Sequence, residues 1–341
     1  MKHLLTQWQM AVKWSIALFA SLCSLLFWGC KQATHFQMQL EHMNELESII
    51  YVEGQAKILL LPIQESADES LLQIESSDGN KIMQTLDVHM AVDSIDYFVP
   101  LDLDNYRQGS GETIMIRMKG LYNNAVTWDA IELVDTFDTT NRETFRPIYH
   151  HTPLYGWMND ANGLVYKDGE YHLYFQYNPY GSVWGNMHWG HSVSKDLMHW
   201  EHKAPVIARD SLGHIFSGSS VVDVENTAGY GAGAIIAFYT SASEKNGQIQ
   251  CMAYSKDNGY TYTKYEKNPI LTPFDGIKDF RDPKVFWYNP EKKWIMIVSA
   301  DKEMRFYDSK NLKDWNYMSS FGEGYGVQPC QFECPDMVEL P

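Results

Sequence analysis

The sequence predicts an all-β protein in which a small β-sandwich-like domain precedes a β-propeller. Three observations support this fold class: short apolar-alternating runs in the N-terminal part, an internal repeat after Arg146, and many aromatic residues. Aromatic residues make up 14% of the 341 residues, and they are enriched in strands and on surfaces that stack on sugar rings. Apolar residues make up 45%, so the chain can bury a sizeable core.

The first 30 residues have the pattern of an export signal. Lys2 and Lys13 are the only charged residues there, and an apolar run from Trp14 to Trp28 follows. As a helix this run is about 22 Å long, which is shorter than the bilayer core of about 30 Å and typical of a secretory signal peptide. It ends in Leu-Phe-Trp-Gly-Cys, which resembles a bacterial lipobox. We therefore expect an exported lipoprotein anchored in the membrane through Cys30, with an uncleaved anchor or an ordinary signal peptide as alternatives.

Residues 31–143 are expected to form the N-terminal β-domain and a linker. Apolar residues alternate in short segments (56–61, 114–118 and 130–134), and polar turns separate these segments. A period of two bounded by Gly, Asp, Asn and Ser predicts strands, here of a small sandwich. No cluster of acids, His or Cys stands out in this region, so we expect the chemistry elsewhere.

Residues 144–341 contain a repeat that predicts propeller blades. A Ser-Lys-Asp or Ser-Lys-Asn motif begins at Ser194, Ser255 and Ser309, and a strand-like apolar run precedes each copy (171–175, 234–239 and 294–298). Repeats of roughly 50 to 60 residues that hold several strands are typical of β-propellers.

Charge and cysteine content exclude several functions. The formal net charge is −16, so the chain repels a phosphate backbone, and we expect no nucleic-acid partner. A neutral carbohydrate suffers no such repulsion. Two of the five cysteines belong to the export segment, which leaves too few for a disulfide framework. The sequence indicates no metal site and no cofactor.

Acidic residues recur in phase with the repeat. Asp160 opens the first blade, Ser217 has the same phase in the second, Asp282 opens the third and Glu333 begins a fourth. Because the first strand of every blade lines the central axis of a propeller, we expect the three acids to converge at one end of the channel. Carboxyl groups held together acquire different pKa values, as glycoside hydrolysis requires.

These acids lie in three motifs that resemble one enzyme family. They are a Trp-Met-Asn-Asp-Ala-Asn-Gly box from Trp157, an Arg-Asp-Pro box from Arg281 and a Glu-Cys box from Glu333. From about Arg146 onward the chain resembles glycoside hydrolase family 32, the five-bladed propeller enzymes that include invertases, inulinases and levanases. The first box departs from the family pattern only at Ala161, which stands where the family has Pro.

The resemblance implies a role for each motif. Asp160 would be the nucleophile, Glu333 the general acid/base, and Asp282 would hold the sugar hydroxyls. Arg281 beside Asp282 is expected to keep that carboxyl ionised. Taken singly, the acids have ordinary explanations as turn or surface residues, and Trp184 could fill a blade core. The resemblance also implies a set of residues that bind the fructose unit: Asn159, Gln176, Trp184, Ser217 and Arg281.

The hypothesis that follows is a retaining β-fructosidase that hydrolyses levan, inulin or sucrose-type fructosides through a covalent fructosyl-enzyme. A related five-bladed arabinan or xylan glycosidase is one alternative. A fructan-binding relative without catalysis is another. Only the first strand of a fourth blade precedes Pro341, whereas a five-bladed ring needs roughly 100 more residues. We therefore expect an incomplete propeller, from a fragment or a truncated product, that is aggregation-prone and nearly inactive when expressed alone.

Overall fold

The computed structural model describes residues 37–107, 113–140, 144–322, 324–327 and 330–338. In these ranges nearly all regular structure is strand, which confirms the predicted all-β class. The export segment and Cys30 lie outside the described residues. Among the residues described, no helix has the length and apolar character needed to cross a membrane.

The N-terminal part is a sandwich of two antiparallel sheets. In β4, Leu72 and Ile74 are fully buried and Leu71 and Gln73 are half-buried, as expected for a strand with one face on a core. A five-stranded sheet has the order β1-β2-β7-β4-β5, and a three-stranded sheet has the order β6-β3-β8. The elements are β1 (Gln37–Asn44), β2 (Glu47–Glu53), β3 (Ile58–Ile63), β4 (Ser70–Glu75), β5 (Ile82–Val88), β6 (Tyr97–Asp102), β7 (Ile114–Lys119), β8 (Glu132–Val134), the helix α1 (Thr127–Ala130) and a 3₁₀ turn (Asp104–Tyr106).

Three four-stranded antiparallel sheets follow, each formed by consecutive strands, as propeller blades are. Blade 1 contains β9 (Trp157–Lys167), β10 (Glu170–Asn178), β11 (His188–Ser194) and β12 (Glu201–Ile207). Blade 2 contains β13 (His214–Asp223), β14 (Ala234–Ser243), β15 (Gly247–Ser255) and β16 (Thr263–Lys264). Blade 3 contains β17 (Phe280–Tyr288), β18 (Lys293–Ala300), β19 (Glu303–Ser309) and β20 (Asn316–Phe321), with a 3₁₀ turn at Asn289–Glu291.

The repeated Ser-Lys turn follows the third strand of every blade. In blade 2 the Ser255 hydroxyl donates to the Asp257 carboxylate at 2.7 Å and accepts the Gly259 N–H at 2.7 Å. Ser194 and Ser309 end the third strands of blades 1 and 3 and bond the side chain two residues on in the same way. The sequence repeat therefore marks the turn between the third and fourth strands.

The blades meet through their first strands. The Ser219 hydroxyl on β13 donates to the Pro283 carbonyl on β17 at 2.7 Å and accepts the Val285 N–H at 2.9 Å. On the other side of β13, Ser217 bonds Asp160 of β9. The strands β9, β13 and β17 therefore lie side by side, with β13 in the middle, and bring their side chains to one place.

The expected fourth blade is not seen in the described residues. Residues 330–338 form no strand in the structure, and the fourth blade expected to begin at Glu333 stays a prediction. The segment instead lies against blade 3, where the Phe332 N–H donates to the Asp301 carbonyl at 3.0 Å. A strand requires a neighbour to complete its hydrogen bonds, and the described residues supply no further strand beside this segment.

The sandwich is attached to blade 1 through the edge strand β5. An edge strand exposes unpaired backbone groups, and here one side chain covers them. The Asn186 amide accepts the Asp87 N–H at 2.9 Å and donates to the Asp87 carbonyl, as a neighbouring strand would. Arg209 forms an ion pair with the Asp87 carboxylate and donates to Asn186 at 2.9 Å.

Candidate active site

The same irregularity occurs in the first strand of every blade. In blade 1, Asn159 and Asp160 lie opposite the single residue Gln176. Two residues also oppose one at Phe216–Ser217 in blade 2 and at Asp282–Pro283 in blade 3. A bulge of this kind bends the strand and re-aims its side chains, and such bulges are common beside active sites. We call these three positions the axial bulges.

Asp160 lies in the first axial bulge with its side chain exposed to solvent. Its Oδ2 accepts the Ser217 hydroxyl at 2.7 Å, and its Oδ1 accepts the Asn159 amide at 3.3 Å. Asn159 is held in turn by the Trp157 indole N–H at 3.2 Å. Hydrogen bonds thus fix the carboxylate while leaving it open to a ligand.

The position of Ser217 depends on the glycine that follows it. A Cβ on Gly218 would lie 1.9 Å from the Phe238 carbonyl oxygen, far inside van der Waals contact. Only glycine lets β13 approach β14 this closely, directly beside the second axial bulge.

Asp282 lies in the third axial bulge and is 6% exposed. Its own N–H donates to the Thr240 hydroxyl at 3.0 Å, and its backbone φ is +62°. Burial raises the pKa of Asp282, and the Cys334 N–H and the Arg281 guanidinium oppose that shift only in part. Arg281 lowers this pKa, which is the direction expected from the sequence, but burial has the larger effect.

The strongest contacts of Arg281 are with two other carboxylates. Its Nη2 donates to Glu333 at 2.6 Å and its Nη1 to Asp279 at 2.6 Å, whereas its Nε lies 4.0 Å from Asp282. The Glu333 side chain is 60% exposed. Arg281 therefore brings the segment that carries Glu333 to the axial bulges, although that segment is not a strand.

Cys334 contacts two acids of the site, the buried Asp282 and the exposed Asp160. Its N–H donates to Asp282 Oδ2 at 2.9 Å, and its Sγ lies 3.8 Å from Asp160 Oδ2. Desolvation, with added repulsion from Asp282 and Asp160, raises the pKa of Cys334 to about 12, so the thiol is neutral. One residue thus places Asp160, Asp282 and Glu333 around a common point.

The remaining sugar-binding candidates have different environments. Gln176 is 2% exposed and donates to the Ile215 carbonyl at 3.0 Å, which joins blade 1 to blade 2. Trp184 is 55% exposed, so it does not fill a blade core. Its ring stacks on His214 with centroids 6.3 Å apart and meets Phe216 edge to face at 5.8 Å. Trp184 therefore forms an aromatic wall beside the second axial bulge.

No sequence pattern marks Gln248 as a functional residue, yet it borders the candidate active site. Its Oε1 accepts the Phe280 N–H at 2.9 Å and the Arg281 Nη1 at 3.2 Å. Gln248 belongs to β15 of the neighbouring blade, so only the folded structure brings it to Arg281. Gln248 therefore helps to hold the guanidinium between Asp279 and Glu333.

Several histidines of blade 1 are buried and neutral. Burial lowers the pKa of His188 and of His191 to about 3, and His191 stacks on His172 at 5.3 Å. His199 is exposed and bonds Asp196 at 2.7 Å, which raises its pKa. Within the part of the chain that the structure describes, no group of three or more His, Cys, Asp or Glu is arranged to hold a metal ion.

Two family models match the chain, one for each part. The model described as the N-terminal domain of glycosyl hydrolases family 32 matches residues 150–341. A domain of unknown function, DUF4980, matches residues 44–149. The boundary between the two matches falls in the segment that connects the sandwich to blade 1.

Known proteins resemble the second part of the chain. The levanase of Bacillus subtilis is 54% identical over 202 residues, which cover 58% of this chain and 30% of the relative. Invertase 1 of Saccharomyces cerevisiae is 45% identical over 215 residues, which cover 59% and 40%. The structure of the fructofuranosidase from Schwanniomyces occidentalis complexed with fructose matches with a TM-score of 0.54 and 43% identity, over 57% of this chain and 40% of that one.

The chain spans less than half the length of these relatives. The family match nevertheless covers more than half of the chain and includes both the three acidic motifs and the three axial bulges. The chain belongs to glycosyl hydrolases family 32.

Proposed function

We propose that this protein is a retaining β-fructosidase that hydrolyses levan, inulin or sucrose-type fructosides. One observation carries the proposal: Cys334 contacts Asp160 and Asp282, while Arg281 binds the adjacent Glu333, so three carboxyl groups from distant segments border one space. Relatives named levanase, exo-inulinase and invertase support fructosides as substrates.

In this proposal Asp160 attacks the anomeric carbon of the fructosyl unit. Its exposed carboxylate, held by Ser217 at 2.7 Å, forms a bond to that carbon as the bond to the leaving oxygen breaks. Glu333 gives its proton to the leaving oxygen, which departs as an alcohol. Glu333 then takes a proton from water, the water oxygen attacks the same carbon, and the Asp160 carboxylate is released.

Asp282 serves binding rather than bond breaking in this scheme. Its buried carboxyl, fixed by the Cys334 N–H, can receive hydrogen bonds from sugar hydroxyls that point into the axial bulges. The residues proposed to bind the fructose unit are Asn159, Gln176, Trp184, Ser217 and Arg281. An amide, an aromatic face and acids are the groups that a furanose with many hydroxyls requires.

We also propose export and membrane anchoring through a lipid on Cys30. The signal pattern of residues 1–30 supports this, as do Aspergillus relatives named extracellular exo-inulinase. A fructan polymer met outside the cell suits an anchored enzyme, since the polymer itself is too large to enter. Labelling with a radioactive fatty acid tests the anchor: Cys30→Ala should abolish incorporation.

The proposed activity is tested on the protein as its gene encodes it, with levan, inulin and sucrose as separate substrates. Release of free fructose is expected, and Asp160→Asn should abolish it while retaining the melting temperature. Arabinose or xylose released from arabinan or xylan in place of fructose would favour a related glycosidase. Binding of fructan without any release of sugar would favour a non-catalytic relative.

A further inference from the structure

A cleft of about 970 Å³ lies between the N-terminal sandwich and the propeller. Its volume is at the upper end of the range of about 300–1,000 Å³ for ligand pockets. The sandwich contributes Ile82 and Thr85 of β5, and the propeller contributes His214, Phe216 and Gln248. One wall of this interdomain cleft is thus the edge strand of the N-terminal sheet.

The N-terminal wall is fixed to the propeller next to the cleft. The Gln84 amide donates to the Arg209 carbonyl at 3.0 Å, and the Arg209 guanidinium binds the Asp87 carboxylate. Asn186 pairs with the backbone of Asp87 on the same strand. Since Gln84 and Asn186 are buried, these contacts hold β5 in position before any ligand binds, and such preorganisation favours affinity.

Two residues that line the interdomain cleft adjoin residues of the candidate active site. Phe216 lines the cleft and directly precedes Ser217, which bonds Asp160. Gln248 lines it as well and accepts a hydrogen bond from Arg281, the partner of Glu333. The cleft therefore lies next to the residues that hold Asp160 and Glu333.

We propose that the interdomain cleft binds the fructosyl units of a fructan chain that lie beyond the unit held at the carboxyl groups, with β5 as one wall. This inference rests on the proposed function. The surface offers half-exposed Ile82 for the C–H face of a sugar ring and exposed Lys278 for hydroxyls.

Sucrose can distinguish binding in the interdomain cleft from catalysis at the carboxyl groups, because it carries only one unit beyond its fructosyl group. A long fructan extends further and gains contacts with β5. Binding energy from such remote units is used in the transition state, so its loss lowers kcat/KM for the polymer.

The test places a large charged side chain in the interdomain cleft. Ile82→Arg on β5 should lower kcat/KM for levan and inulin by about tenfold, which corresponds to loss of about 1.4 kcal/mol of binding. The rate with sucrose should remain that of the wild type. Met43→Arg is the matched control, since Met43 is 50% exposed against 53% for Ile82 and lies on β1 at the opposite edge of the same sheet.

The outcomes distinguish this inference from the proposed function. If wild-type protein releases no fructose from any substrate, the proposed function fails. If it releases fructose and Ile82→Arg slows polymer and sucrose equally, or slows neither, only the cleft assignment is overturned. A polymer-specific loss that Met43→Arg also shows would equally overturn it.

Discussion

Substitution of Glu333 by Gln removes a carboxylate that has a large proposed role in catalysis and a small one in stability. The Glu333 side chain is 60% exposed and contacts Arg281 at 2.6 Å. Ion pairs this exposed contribute about 0–1 kcal/mol, so the free energy of unfolding should fall by no more than about 1 kcal/mol. Loss of general acid/base catalysis should slow sucrose hydrolysis by about 10²–10⁴-fold. That is about 2.7–5.4 kcal/mol of transition-state stabilisation.

Asp279→Asn is the matched control for this experiment. Asp279 accepts the same guanidinium at the same distance, 2.6 Å, and its side chain is 40% exposed. If Glu333→Gln acted only by loosening Arg281, Asp279→Asn would be equally damaging. We expect Asp279→Asn to lower kcat by less than about tenfold, because it removes an ion pair and no proton donor.

The assay compares kcat and KM for sucrose with those for a fructoside that carries a nitrophenol leaving group. A nitrophenol leaves without a proton, so this substrate should restore much of the rate of Glu333→Gln. Chemical denaturation of each variant supplies the free energy of unfolding. Equal losses in Glu333→Gln and Asp279→Asn, or full sucrose activity in Glu333→Gln, would refute the assignment.

The other predictions concern the nucleophile, the carboxyl spacing, acid stability and one glycine. Asp160→Asn should lose fructose release by several orders of magnitude, and the nitrophenyl substrate should not restore it; restoration equal to that of Glu333→Gln would contradict its role as nucleophile. In a crystal structure with bound fructose the carboxyl groups of Asp160 and Glu333 should lie about 5–5.5 Å apart, whereas a spacing near 9 Å would indicate inversion. Burial lowers the pKa of His188 to about 3, below the value of about 6.5 in an unfolded chain, so stability is complete above pH 6.5 and is lost as the pH falls through 6 toward 4. Melting temperatures measured from pH 8 to pH 4 check this, and an unchanged melting temperature across that range would contradict it. Gly218→Ala should destabilise the fold by about 1–3 kcal/mol in urea unfolding and reduce activity, while Gly185→Ala, whose added Cβ meets no atom closer than 3.7 Å, should do neither.

The positions of the acids along the chain could be predicted because the blades repeat. Asp160, Ser217 and Asp282 share a phase in the sequence, and each lies in an axial bulge in the structure. The bulge itself leaves no pattern in composition, since any residue types can occupy it. The period therefore predicts which residues meet, and the pairing registers of β9, β13 and β17 are needed to explain how.

The ion-pair partners of Arg281 could not be predicted from its neighbours in the sequence. Asp282 follows it in sequence, yet successive residues along a strand point to different faces. The guanidinium consequently reaches Asp279 and Glu333, and burial dominates the pKa of Asp282. The contacts of Cys334 could not be predicted either. Cys334 lies in a segment without regular structure, and no local sequence pattern indicates that it contacts Asp282 and Asp160.

The axial bulges have a consequence for how such an enzyme diversifies after gene duplication. Each described blade has a bulge in its first strand, and the bulge re-aims a side chain whichever amino acid is present there. Asp160 and Ser217 are the second residues of their bulges, whereas Asp282 is the first residue of its own. A few nucleotide changes at the codon for Ser217 can thus install a carboxylate, an amide or a hydroxyl while the hydrogen bonds of the sheet stay unaltered. The side chains that determine substrate preference can therefore change while the fold stays the same.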